Sequence, residues 1–407
     1  MPVTFKQAEL GNGLTIIGEV DPDAHTAACG FFVRTGARDE DPAVMGVSHF
    51  LEHMMFKGTE SRSADDVNRG FDEIGASYNA YTSNELTCFY ASTLPEHIET
   101  GAEILSDILR PSLRGEDFDT EKGVILEEIA MYKDNPFWVL YEKAMEVYYG
   151  AHPLAHRVLG TDDTIKALQR DQMQAYFDNR YSADNTTVAL SGNLDFDAMI
   201  DRFNTWCGSW ARTGAERSGL KPTATDTAFD LQDENVNRGY WLMITPAPAM
   251  EDERRYAAML LAKLLGDPGN SRLHWALVEP GTAEETIAAY DPRDGTGDYL
   301  VYASGEPDRL ATIGQTINAE INGLIDAITD DDLERLRNKL ATSVVLAGER
   351  PGGRMQRLGR QWTYLRGYMT LEEELERINA ITLKDLRELT EAFPFTPRTI
   401  GTMTPKV

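Results

Sequence analysis

Cysteine is scarce. Cys29, Cys88 and Cys207 are odd in number and far apart, which argues against a disulfide framework and against a cysteine-built metal site. Thiols so placed are expected as small buried hydrophobes in a reducing, cytoplasmic compartment. Positive charge is also in deficit: 39 Lys and Arg face 66 Asp and Glu, a formal charge of −27. Nucleic-acid binding is disfavoured, because phosphate contacts need clustered cations. No apolar run is long enough to cross a bilayer, so no membrane association is expected. Residues 1–6 lead through a Gly11-Asn12-Gly13 turn into the strand-like run Leu14-Thr15-Ile16-Ile17, and no signal peptide is expected there. The Gly352-Gly353 pair lacks the strand-to-helix glycine pattern that cradles a phosphate.

What is present is a globular composition, 42% hydrophobic over 407 residues, which exceeds one ordinary core and predicts two domains. Strand and helix signals alternate over 10–210. A polar stretch at 213–226, with Gly214, Gly219 and Pro222, has no apolar periodicity and reads as a linker. Beyond it, 240–244 and 299–302 read as strands and 253–265, 331–346 and 370–379 as helices, a coarse repeat of the first half. The expected division is 1–212, a linker at 213–229, and a divergent repeat at 230–407.

The most specific feature is His49-Phe50-Leu51-Glu52-His53, an HxxEH run. Positions i and i+4 share a helical face, so both imidazoles can reach one ion while Glu52 lies beside them. Asp41 is the expected N-cap, Pro42 the first helical residue and Gly58 the stop. Val47, Phe50, Leu51, Met54 and Met55 form one stripe, to be packed; His49, Glu52, His53 and Phe56 form the other. A catalytic zinc takes three protein ligands, and Glu128 is the best candidate for the third. It falls on a helical pattern at 119–133 that ends at Asp134-Asn135-Pro136. Glu121, seven residues earlier, shares its face and is expected to support the site, whereas Glu127 points elsewhere. His152 and His156 are also four apart, but Gly150 and Pro153 interrupt any helix there, and no second metal pair is expected.

HFLEH followed by Met54-Met55-Phe56-Lys57-Gly58-Thr59, then Asn79-Ala80-Tyr81-Thr82, then Glu121-Lys122-Gly123-Val124-Ile125-Leu126-Glu127-Glu128-Ile129, resembles the pitrilysin/insulinase family of inverted zincins. Within it, the chain is most similar to the mitochondrial processing peptidase branch and its bacterial relatives. The resemblance is strong to about residue 160 and looser afterwards. It implies an α+β fold of two related halves, each a mainly antiparallel sheet with helices packed on one side. It also implies one Zn2+ per chain on His49, His53 and Glu128, Glu52 as general base, and Glu121 in support. An extended substrate would lie along an edge strand at Asn79, Ala80 and Thr82. In the second half, Arg293 and Tyr299 are similar in place to an Arg/Tyr pair that contacts substrate near the zinc. Ser271-Arg272-Leu273 keeps a familiar start, but the residues after it depart from the more basic stretch common in relatives, which leaves substrate preference open.

The implied activity is a zinc metalloendopeptidase that hydrolyses unfolded peptides inside a closed chamber. The acidic charge suggests basic peptides as the attracted class. Short members of the family pair two chains, and a homodimer is expected because the zinc motif and the Arg/Tyr pair occur together here. The competing expectation is a non-catalytic peptide-binding or scaffold subunit of a heteromeric complex.

Overall fold

A computed structural model describes residues 3–326 and 328–406. Two sheets organise the chain. The first contains β1 (Thr4–Glu9), β2 (Thr15–Val20), β3 (Ala27–Val33), β4 (Ser77–Thr82), β5 (Thr87–Thr93) and β6 (Thr186–Gly192), in the order β1-β2-β6-β3-β5-β4. The second contains β7 (Thr227–Asp233), β8 (Gly239–Pro246), β9 (Glu285–Arg293), β10 (Thr296–Gly305) and β11 (Thr399–Pro405), in the order β7-β11-β8-β10-β9. Without β1, the two orders are the same. Each begins with a parallel pair, β2 with β6 and β7 with β11, and continues antiparallel to a hairpin whose first strand, β4 or β9, is the outer edge. The fold is α+β and internally duplicated.

The chain forms two compact units. The first comprises Met1–Ile129, His156–Ser218 and Val345–Tyr368; the second comprises Ala130–Ala155, Gly219–Val344 and Met369–Val407. The passage at 218/219 lies inside the stretch expected as a linker, and two helical segments are exchanged between the sequence halves. The reason is visible in the strands.

All seven residues of β3 are buried, so both of its faces need cover. Phe31 meets Phe203 of the helix Phe196–Cys207, with ring centroids 5.8 Å apart. Phe32, on the opposite face, packs with Met355, Leu358 and Trp362 of the exchanged helix Pro351–Leu365. A Cβ on Gly359 would come within 2.1 Å of the Phe32 ring, so glycine is what lets this helix approach. The second unit repeats the device. Met243, Tyr299 and Val301 face helices of their own half, while Leu242, Ile244, Leu300 and Tyr302 face Leu140, Ala144 and Tyr148 of the exchanged helix Pro136–Tyr149.

The polar stretch after residue 210 is not loose throughout. Arg217, its side chain 3% exposed, grips the fully buried Asp39 carboxylate with Nε to Oδ1 at 3.0 Å and Nη2 to Oδ2 at 2.8 Å. The same guanidinium donates to the Glu85 carbonyl at 2.5 Å. A segment without apolar periodicity is thus tied down by charge.

Candidate metal centre

The HxxEH helix runs Val47–Met55. Its expected start is corrected by the structure. Asp41 and Pro42 open a separate 3-10 turn, Pro42–Val44, in which Asp41 accepts the Ala43 N–H at 2.9 Å. The helix itself begins after Gly46, which lies at φ 95°, and a Cβ there would sit 2.6 Å from the Leu159 carbonyl oxygen. Glu40 takes the capping role, its carboxyl group accepting from Gly46 N at 2.7 Å and Ser48 N at 2.8 Å. Burial pushes the Glu40 carboxyl up to about 8 against these hydrogen bonds. Ser48 Oγ and Thr35 Oγ1 each lie 2.7 Å from the Tyr176 hydroxyl, closing a buried polar cluster under the helix start.

The apolar stripe packs as expected, with Val47, Phe50, Leu51, Met54 and Met55 all buried. Phe50 stacks on Phe118 at 4.8 Å between centroids. Phe118 belongs to the helix Gly115–Lys133, which starts four residues earlier than the expected 119. This contact sets the two helices side by side, and the chemistry-bearing faces meet.

His49 Nε2 lies 3.7 Å and His53 Nε2 lies 3.6 Å from Glu128 Oε2. Donor atoms of His49, His53 and Glu128 all fall within 4.8 Å of one another, the only such cluster found among the described residues. A tetrahedral ion with bonds of about 2.1 Å spaces its ligands about 3.4 Å apart. The nitrogen and oxygen donors therefore suit zinc with little adjustment.

Glu121 sits one layer out. Its Oε1 is 2.9 Å from His53 Nδ1, which leaves Nε2 as the lone-pair atom facing Glu128, and its Oε2 is 2.6 Å from Lys57 Nζ. Thr82 Oγ1 donates to Glu52 Oε2 at 2.5 Å. Thr82 ends β4, the free edge of the first sheet, along which Asn79 and Ala80 also lie. The residue expected to contact substrate thus also holds the expected base.

Electrostatics divides the two imidazoles. Burial, with a smaller contribution from His53, pushes His49 down to about 3, so it is held in the neutral form that binds metals. For His53, burial opposes the charged form, but the hydrogen bond to Glu121 and the nearby Glu128, Glu121 and Glu52 charges outweigh it and raise the pKa. Burial raises Glu52 and Glu128; at Glu52 the Thr82 hydrogen bond opposes it. Glu121 is lowered, because bonds from His53 and Lys57 overcome its burial.

Arg293 and Tyr299 belong to the second unit. Arg293 Nε pairs with Asp298 Oδ2 at 2.7 Å and its Nη2 with Asp291 at 2.9 Å, while Tyr149 donates to the same Asp298 oxygen at 2.6 Å. Tyr299 is 1% exposed, stacked on Phe395 at 4.9 Å, and its hydroxyl finds no hydrogen-bond partner among the described residues. Glu40 and Lys57 were not singled out from the sequence. Lys57 had a signal, since it lies one turn beyond His53 on the same side; Glu40 had none, because its partners follow an intervening 3-10 turn.

Residues 15–162 match the family described as "Insulinase (Peptidase family M16)", and 167–340 match "Peptidase M16 inactive domain". The chain is similar to the "Uncharacterized zinc protease YmxG" of Bacillus subtilis, 30% identical over 95% of this chain and 94% of that protein. It is also similar to the "Uncharacterized zinc protease SCO5738" of Streptomyces coelicolor, 31% identical over 94% and 86%. Its fold matches that of a protease from Helicobacter pylori with a TM-score of 0.91 at 19% identity, covering 99% of this chain and 100% of that one. Similarity along nearly the whole length, together with the two adjoining domain matches, makes this chain a member of the M16 insulinase family of peptidases.

Proposed function

We propose that the protein is a zinc metalloendopeptidase acting on extended or unfolded peptides, with one Zn2+ per chain. The observation that carries this reading is the meeting of His49, His53 and Glu128 beside a carboxylate, Glu52, that is hydrogen-bonded to the end of an edge strand, β4. His49, His53 and Glu128 would hold the zinc, which when bound would supply Lewis acidity toward a scissile carbonyl and the attacking water. Glu52 takes the proton from the attacking water and passes it to the leaving amine. Thr82 keeps the Glu52 carboxylate from swinging away. Glu121 fixes the His53 ring. A peptide adds to the free edge of β4 through main-chain hydrogen bonds, which requires an extended substrate and disfavours folded ones.

Arg293 and Tyr299 are both buried, so a substrate contact at either would need the side chain to leave its present packing. Cleavage inside a closed chamber formed by a homodimer is the expected setting, and full activity from a monomeric mass in light scattering would oppose it. The cytoplasmic assignment rests on three unpaired, buried thiols.

Purified Glu52→Gln is expected to keep its zinc and lose peptide hydrolysis, whereas His49→Ala and Glu128→Gln lose zinc. Full turnover by Glu52→Gln removes the assigned base. The second reading, a non-catalytic peptide-binding subunit, is favoured by the description of the 167–340 match as inactive and opposed by the complete donor set in the first unit. Zinc content and cleavage of an unstructured peptide, measured on one sample, separate the two.

A further inference from the structure

We propose that Lys57 is a positioning residue of the metal centre: its ammonium fixes the Glu121 carboxylate, which in turn holds His53 with Nε2 turned toward Glu128. The inference rests on the zinc reading above and extends it to a residue outside the HxxEH run and outside the ligand set. Glu121 has two oxygens and each serves one donor, Oε1 for His53 Nδ1 at 2.9 Å and Oε2 for Lys57 Nζ at 2.6 Å. With both occupied, the carboxylate has a single orientation. Its side chain is only 5% exposed, and a water reaching it from the Lys57 side would meet its charge without fixing it in one orientation as the tethered ammonium does.

The arrangement is asymmetric. Among the described residues His49 Nδ1 is buried without a hydrogen-bond partner, so none of them orients that ring by a comparable hydrogen bond. Orientation by hydrogen bond therefore falls on His53 alone, through Glu121 and Lys57. The main chain at Lys57 is anchored independently: its N–H donates to the Met54 carbonyl at 3.1 Å, and its carbonyl accepts from Arg114 Nη2 at 2.5 Å. Changing the side chain leaves those bonds in place. The Lys57 side chain is 37% exposed, which makes the ion pair a weak contributor to folding while its geometry still matters to the imidazole.

The test is zinc affinity, measured by competition with a chromophoric chelator on the full chain for wild type, Lys57→Met, Lys57→Arg, Glu121→Gln and the Lys57→Met/Glu121→Gln double variant. Lys57→Met should bind zinc about 10- to 100-fold more weakly, the usual cost of removing support from a metal-binding imidazole. Lys57→Arg should recover most of the loss. In the Glu121→Gln background, Lys57→Met should add little, because the two side chains act in series. The metal-free unfolding midpoint of Lys57→Met should match wild type. Unchanged affinity in Lys57→Met, additive losses in the double variant, failure of arginine to recover binding, or a collapsed metal-free midpoint would each overturn the proposal. Wild-type protein that takes up no zinc defeats the metal reading itself, which is a different failure from a wild type that binds and a Lys57→Met that binds equally.

Discussion

Glu40 joins two levels of the site: it occupies the N–H groups at the start of the HxxEH helix and it is a fully enclosed acid whose proton burial retains up to about 8. Its pH consequence has a definite sign. Between an unfolded value of 4.5 and a folded value of about 8, the folded protein holds a proton that the unfolded chain releases. That contribution to stability is complete below pH 4.5 and is lost as pH rises through 8, with a slope bounded at about 1.4 kcal/mol per pH unit for one proton. Urea unfolding of the metal-free protein from pH 5 to 8.5 should show wild type losing stability relative to Glu40→Gln. Parallel curves would mean that Glu40 carries no retained proton.

At the scale of elements, the membership of the helix Pro351–Leu365 in the first unit is what sequence periodicity does not reveal. Met355 is fully buried over Gly30 and Phe32, and Met355→Ala should cost about 2–5 kcal/mol. Hydrogen exchange should speed up at β3 and β6, the strands it covers, well before β8 and β10 respond; equal loosening in both sheets would contradict this assignment. Some of the strands were legible, because a 7-residue apolar run such as β3 and the hairpin around Ser83-Asn84 carry local signals, whereas β1, β6, β7, β9 and β11 were not read. The HxxEH helix was legible from its apolar stripe at helical spacing, and the Glu128 helix from its acidic opening and its Asp134-Asn135-Pro136 stop. The exchange was not, since Phe32 and Leu358 meet across more than three hundred residues and neither run contains a sign of its partner. Arg217 was missed differently: charge pairing with Asp39 holds a segment that a search for apolar period reads as free.

For the whole molecule, a charge of −27 predicts how substrates approach more than how they are cut. Matched basic and acidic peptides should be cleaved at different rates in low salt, the basic one faster. The difference should shrink as salt rises from about 0.01 M to about 1 M, where the Debye length falls from about 30 Å to about 3 Å. Faster cleavage of the acidic peptide at low salt would reject the idea. The helix exchange also constrains the order in which the protein can be made. A ribosome finishes β1 to β6 long before it reaches 345–368, so the nascent first sheet emerges with the Phe32 side bare. That apolar face stays exposed to the crowded cell until the segment 345–368 has been translated, which makes early release of the growing chain, or synthesis of the first half by itself, an invitation to aggregation.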